Sequence, residues 1–131
     1  MKLINYIFVL TLFVSLAACA TTAKFPVSTV VPAAEISAKK STDANKNSTL
    51  EITARNLASP DRLVPAGTNY SIWVVTKGQG TKNVGQLLVS NGDKATFKTT
   101  TAFDFDEVFI TVENQSDLTY PTGVEISRTK F

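Results

Sequence analysis

The side chains that could carry chemistry in this chain are few, and the most distinctive is its only cysteine, Cys19. There is no histidine, which removes the commonest general base and the commonest transition-metal ligand together. Serines and threonines are abundant, but none has a histidine to activate it, and a lysine base would need burial that no pattern indicates. No enzymatic activity is therefore predicted.

A run of three carboxylates within four residues, 104–107 (DFDE), is the one candidate metal site. Asp104, Asp106 and Glu107 offer oxygen ligands of the kind that Ca²⁺ prefers. The run lacks the extended ligand loop and the glycine of a known calcium motif, and strand alternation would turn both aspartates to solvent. The pattern favours a solvated strand start that keeps a sheet edge from pairing, so we predict no metal and no cofactor.

The loop at 59–68 is the candidate binding element, because two prolines stiffen it around Asp61, Arg62 and Leu63. Rigid loops on β scaffolds commonly carry recognition residues. The simpler interpretation is a connection between two sheets whose only role is geometric. Binding at these three residues is the hypothesis that competes with it.

The elements that must position these residues are short strands. From residue 34 onward, alternating runs are separated by turn-formers, which is typical of an all-β fold. About seven such runs predict an immunoglobulin-like antiparallel β-sandwich over residues 34–131. The run at 69–76 (NYSIWVVT) is apolar on both faces and is predicted to be central, with Trp73 in the core rather than exposed as a ligand platform.

Two strand pairings are predicted from local signals. Residues 35–39 and 50–55 alternate on either side of a polar turn and predict a hairpin with one wet face. Asn91-Gly92 suits a type I′ turn and predicts a second hairpin that joins 87–89 to 95–98.

An apolar stretch precedes Cys19. Lys2 is followed by a largely apolar run over 4–16, shorter than the roughly 20 residues that cross a hydrocarbon core. Ala17 and Ala18 then provide the narrow side chains that a signal peptidase requires. Residues 1–18 are predicted to be a signal peptide; an ordinary secretory leader and a short membrane anchor are the alternatives to a lipoprotein signal.

The tetrapeptide at 16–19 (LAAC) resembles the lipid-acceptor motif of bacterial lipoproteins. The resemblance implies a diacylglyceryl thioether on Cys19, cleavage before it, and acylation of the new amine. Membrane lipid would then be a partner, since two or more acyl chains anchor a protein durably. Ala20, in place of an aspartate, favours the outer membrane facing the periplasm over the outer face of the cytoplasmic membrane. Residues 19–33, with two prolines and no helical period, are predicted to be this lipidated cysteine and a flexible tether.

Several segments resemble the extracytoplasmic β domain of anti-sigma-K-type regulators: 70–75 (YSIWVV), 84–87 (VGQL), 91–95 (NGDKA), 110–113 (ITVE) and 121–123 (PTG). The resemblance spans about residues 69–126 and rests on core and turn positions, so it supports the fold more than the function. The sigma-binding helices and the membrane-spanning helix of those regulators have no counterpart in this sequence. No sigma binding and no site residue is carried over from them.

Charge excludes one class of partner. The chain has 13 Lys and Arg against 11 Asp and Glu, a near balance that gives no electrostatic reason to bind nucleic acid. We expect a lipid-anchored cell-envelope protein that acts as a non-catalytic binding or structural module, with an envelope protein as a candidate partner. The alternatives are a sensory accessory domain that modulates an envelope-stress or anti-sigma regulator, and a small hydrolase with paired carboxylates.

Overall fold

The computed structural model describes residues 19–89 and 94–131, which form two four-stranded antiparallel sheets. The prediction of an all-β antiparallel sandwich is confirmed. The first sheet has the order β1-β2-β3-β6 and the second the order β5-β4-β7-β8. The eight strands are β1 (Ala20–Lys24), β2 (Glu35–Thr42), β3 (Ser48–Arg55), β4 (Asn69–Thr76), β5 (Thr81–Leu87), β6 (Ala95–Thr101), β7 (Phe105–Glu113) and β8 (Val124–Lys130).

The core lies between the two sheets and follows from the alternation of the strands. In β3, Leu50, Ile52 and Ala54 are buried while the residues between them face outward. Burying a leucine or isoleucine side chain contributes about 1.5–3 kcal/mol, so the alternation selects which face of the sheet turns inward. The predicted hairpin of β2 and β3 is confirmed by their antiparallel pairing.

Strand β4 is central, as its sequence predicts, because it pairs with β5 on one side and β7 on the other. Tyr70 and Ile72 point into the core between the sheets. The Tyr70 hydroxyl donates a hydrogen bond to the Ala58 carbonyl at 2.7 Å. Burial raises the pKa of Tyr70 to about 12, so it stays a neutral donor at physiological pH.

The flexible tether predicted over residues 19–33 is wrong. Residues Ala20–Lys24 form β1, which pairs with β2 throughout its length, and this accounts for the eighth strand. Phe25 and Val31 are buried in the core, and the Ser28 hydroxyl accepts hydrogen bonds from the backbone amides of the loop. The prolines interrupt only the connection to β2, so apolar burial and strand pairing outweigh their effect.

The hairpin predicted to join 87–89 to 95–98 is also wrong. Strand β5 belongs to the second sheet and β6 to the first, so the chain crosses between the sheets at this point. The turn residues Asn91 and Gly92 lie outside the described part of the chain. The two strands meet face to face, because Gly85 lacks a side chain and the Phe97 ring occupies the space.

Gly85→Ala should destabilise the domain by about 1–3 kcal/mol, because its methyl group would lie 2.6 Å from the Phe97 ring. Gly78→Ala is the matched control, since Gly78 also has a positive φ but has nothing within 4 Å of its Cβ position. Chemical denaturation of both variants measures the difference. Equal losses would show that Phe97 moves aside at no cost and would contradict a tight crossing of β5 and β6.

Candidate functional site

The two ends of the sandwich differ, and Cys19 marks one of them. Cys19 is exposed and directly precedes β1, whose first residue, Ala20, pairs with Ser41 near the end of β2. Ser48 of β3 pairs with Thr101 of β6, which brings the start of β3 and the end of β6 to the same place. We call this the Cys19 end; its turns are 43–47, 77–80 and 102–104.

The candidate metal ligands lie near the Cys19 end but have separate partners. Asp104 forms ion pairs with Lys40 at 3.1 Å and Lys77 at 3.3 Å, and the hydrogen bond from Lys40 is the main reason that the pKa of Asp104 is lowered. Glu107 instead pairs with Arg128 at 2.7 Å. Asp106 is exposed. Within residues 19–89 and 94–131, no three potential ligand side chains form a group that could hold a metal.

The predicted binding loop lies at the opposite end, which we call the far end. Pro60–Arg62 form a short 3₁₀ helix with Asp61 and Arg62 exposed. Leu63, however, is only 7% exposed and belongs to the core, so its role as a binding residue is corrected. The apolar side chain that the loop presents to solvent is its neighbour Val64, which is 92% exposed.

Exposed apolar side chains concentrate on the connections that leave the far end. Val27 follows β1, Val64 precedes β4, Leu88 follows β5 at 83% exposure, and Tyr120 lies between β7 and β8. Single exposed apolar residues are ordinary on protein surfaces, whereas several at one end of a domain indicate an interaction surface. In the described chain, the turns of the Cys19 end carry no large apolar side chain that is exposed to a comparable degree.

The outer face of the second sheet carries a buried tryptophan and is bordered by a chain segment, 114–123, that we call the covering segment. Trp73 is fully buried as predicted, but it lies on the side of β4 that faces away from the inter-sheet core. Its ring stacks on Phe109 with centroids 6.2 Å apart. The covering segment lies between β7 and β8, and its backbone carbonyls at Ser116 and Leu118 accept hydrogen bonds from the side-chain amide of Asn83 in β5.

A buried carboxylate, which no sequence pattern predicted, fastens this segment. The Trp73 indole N–H donates to the Thr111 hydroxyl at 2.8 Å, which donates to Glu113 Oε1 at 2.7 Å. The Thr122 amide and hydroxyl donate to the two carboxylate oxygens at 3.1 and 2.8 Å. An acidic residue that ends the mainly apolar run 108–113, eight residues before a Pro-Thr-Gly turn, is the signal that could have indicated it.

The ionisation of Glu113 follows from these contacts. Burial is the largest single influence and would raise the pKa of its carboxyl group. Hydrogen bonds from Thr111, Thr122 and the Gly123 backbone together outweigh burial, and the pKa is lowered from its ordinary value of 4.5. A side chain at Gly123 would lie 1.7 Å from the Val112 carbonyl oxygen, so only glycine lets the segment approach this closely.

A cavity of about 560 Å³ forms an open groove between β5 and the covering segment. Lys82 and Phe103 line one part of it, with the Lys82 ammonium 5.5 Å from the centre of the Phe103 ring. The amides of Asn83 and Gln86, which also line it, are already hydrogen-bonded to the covering segment. The groove therefore has few unengaged polar groups with which to orient a small ligand.

In comparisons with known proteins, no protein-family model, no curated protein and no solved structure matches the chain. The resemblance to the anti-sigma-K-type domain thus stays a prediction. No helix in the described residues is long and apolar enough to cross a membrane.

Glu113→Gln should lower the free energy of unfolding by about 1–3 kcal/mol at neutral pH, because the amide nitrogen cannot accept the hydrogen bonds that the carboxylate receives. Because the folded-state pKa is lowered, this stabilisation is present above the ordinary value of 4.5 and is lost as the pH falls through the lowered value. Denaturation at several pH values measures both effects.

The matched control is Glu35→Gln, since Glu35 is exposed at the start of β2. Its unfolding free energy should stay within about 0.5 kcal/mol of the wild type. An unchanged acid dependence in Glu113→Gln would contradict the stabilising role of the buried carboxylate.

Proposed function

We propose that this protein is a lipid-anchored component of the cell envelope whose β-sandwich acts as a non-catalytic binding module. The observation that carries the proposal is the opposition of its two ends. Cys19, the predicted acyl acceptor, is exposed at one end, and Val64 and Leu88 are exposed at the other. A domain held through Cys19 presents its apolar connections away from the anchor.

The chemistry of the side chains supports binding rather than catalysis. The chain has no histidine, and its buried carboxylate, Glu113, is saturated by donors from Thr111 and Thr122. A carboxylate held in its charged form by several donors is a poor proton donor or acceptor near neutral pH. Its position suits a structural role in holding the covering segment.

The partner that fits the far end is another envelope protein. Recognition surfaces commonly use side chains on loops that a rigid scaffold positions. Exposed apolar residues on such loops contribute when a partner buries them, whereas they gain nothing in solvent. Asp61 and Arg62, exposed beside Val64, supply polar contacts at the rim of such a contact. Outer-membrane attachment facing the periplasm is the location that this proposal favours.

Cys19→Ser should abolish metabolic labelling with a radioactive fatty acid and release the protein from the membrane fraction, because the hydroxyl does not form the thioether. Ala20→Ser is the matched control, since it places the same side chain one residue later and keeps the thiol. Labelling that persists in Cys19→Ser would overturn the anchor.

Val64→Ser combined with Leu88→Ser should remove the envelope partner captured by in-cell cross-linking while leaving the domain folded. Both side chains are more than four-fifths exposed, at 92% and 83%, so stability should change by less than about 0.5 kcal/mol each. Gln79→Ser, in a turn of the Cys19 end, is the control that should keep the partner. If the wild type, the double variant and Gln79→Ser captured the partner equally, recognition by the far end would be ruled out.

A further inference from the structure

We propose that the Cys19 end is a membrane-contact surface, with the turns 43–47, 77–80 and 102–104 resting on phospholipid headgroups. The inference rests on the lipid anchor proposed above, and it adds an orientation that an anchor alone does not supply. A lipoprotein with a flexible tether would move freely above the bilayer. In this domain, the attachment of β1 next to Cys19 removes that freedom.

The first reason is that no flexible residues separate Cys19, the proposed acyl acceptor, from the first strand of the fold. Strand β1 starts at Ala20, the residue after Cys19, and consecutive Cα atoms are only about 3.8 Å apart. Ala20 pairs with Ser41, one residue before the end of β2, so the acceptor sulfur lies beside the turn at 43–47. Acyl chains inserted in the hydrocarbon region must therefore draw this turn down to the headgroups.

The second reason is that β1 is paired along its whole length and fastened at its last residue, which opposes its detachment as a tether. It pairs with β2 through every one of its residues. On its other side, the Thr129 hydroxyl of β8 donates to the carbonyl of Lys24, the last residue of β1, at 3.2 Å. Two residues after the strand, the Ser127 hydroxyl of β8 donates to the Pro26 carbonyl at 2.9 Å. Detachment would break these bonds and expose Phe25, which is buried in the core. Strand β1 therefore acts as a rigid link.

The third reason is the character of the Cys19 end. Lys46 and Lys82 lie in or next to its turns, and neither forms an ion pair with a carboxylate of the described chain. Its two turn aspartates are engaged internally: Asp43 accepts backbone hydrogen bonds within its own turn, and Asp104 binds Lys40 and Lys77. The exposed Asp106, next to the turn at 102–104, is one carboxylate against the two ammonium groups of Lys46 and Lys82. Ammonium groups that have no carboxylate partner attract the phosphates of anionic headgroups near a bilayer.

The chain offers a direct test, because its only thiol would be consumed by the lipid, so an introduced cysteine is labelled alone. A fluorophore is placed on Asn45→Cys at the Cys19 end or on Val64→Cys at the far end of the full lipidated protein. Each protein is reconstituted into vesicles of phosphatidylcholine and phosphatidylglycerol that carry a headgroup spin label. An eight-residue strand such as β3 separates the ends by about 26 Å.

We expect strong quenching at position 45 and none at position 64. An insertion of ten Gly and Ser residues between Cys19 and Ala20 should abolish quenching at position 45, since that linker spans about 18 Å on average. Equal quenching at both positions without the insertion would overturn the orientation. So would unchanged quenching at position 45 with the insertion, because the rigid link would then be unnecessary.

Mass spectrometry of the Cys19 peptide separates the two levels of the proposal. A lipidated Cys19 with equal quenching overturns the membrane-contact surface and leaves the anchor standing. A Cys19 without lipid overturns both. A lipidated Cys19 with quenching only at position 45 supports both.

Discussion

The attachment of β1 to the sandwich is the constraint on which the arrangement of this molecule depends. A five-residue strand at a sheet edge contributes few contacts, and alone it would fray. Here β2 pairs with every residue of the strand, the Thr129 hydroxyl of β8 donates to the carbonyl of its last residue, Lys24, and Phe25 enters the core directly after it. The edge of the first sheet is thereby joined to the edge of the second. The position of Cys19 relative to every other feature follows from this closure.

The second sheet is organised by a different interaction. Its outer face is apolar at Trp73 and Phe109, where the Arg128 guanidinium lies over the Phe109 ring, 4.0 Å from its centre, and the segment 114–123 borders the same face. That segment has little apolar content of its own and is fastened by hydrogen bonds to Glu113, Asn83 and Gln86. A buried charge is costly unless donors surround it. Thr122, which donates hydrogen bonds to Glu113, belongs to the covering segment. The same hydrogen bonds therefore offset the cost of burying the carboxylate and hold the segment in place.

The sequence predicts the fold class well because alternation and burial are local signals. The β2–β3 hairpin and the central position of β4 follow from which residues must be inward. The two errors arise where tertiary contacts override local preference. Asn91-Gly92 indicates a tight turn but not whether the next strand pairs with the last one or crosses to another sheet, and packing of Phe97 on Gly85 decides that. Prolines near β1 suggest coil, yet they lie just outside the paired residues.

The candidate sites divide in the same way. The predicted lipid-acceptor motif at Cys19 can be recognised from sequence because such a motif consists of adjacent residues, whereas the candidate binding loop needs three-dimensional information. Leu63 and Val64 are neighbours of similar hydrophobicity, and only the turn of the backbone decides that one fills the core and the other meets solvent. The Glu113 cluster joins residues from β4, β7 and the following segment, and no local pattern places their hydrogen bonds together.

The burial of Trp73 and its hydrogen-bonded connection to the covering segment give the molecule an intrinsic optical reporter. It is the only tryptophan; its ring stacks on Phe109, and hydrogen bonds through Thr111 and Glu113 connect it to Thr122 of the segment. Emission from this indole therefore depends on the local closure of one surface segment as well as on global unfolding. A red shift that precedes loss of strand content would show the cover lifting from an intact sandwich, separating a local opening of the molecule from its cooperative denaturation.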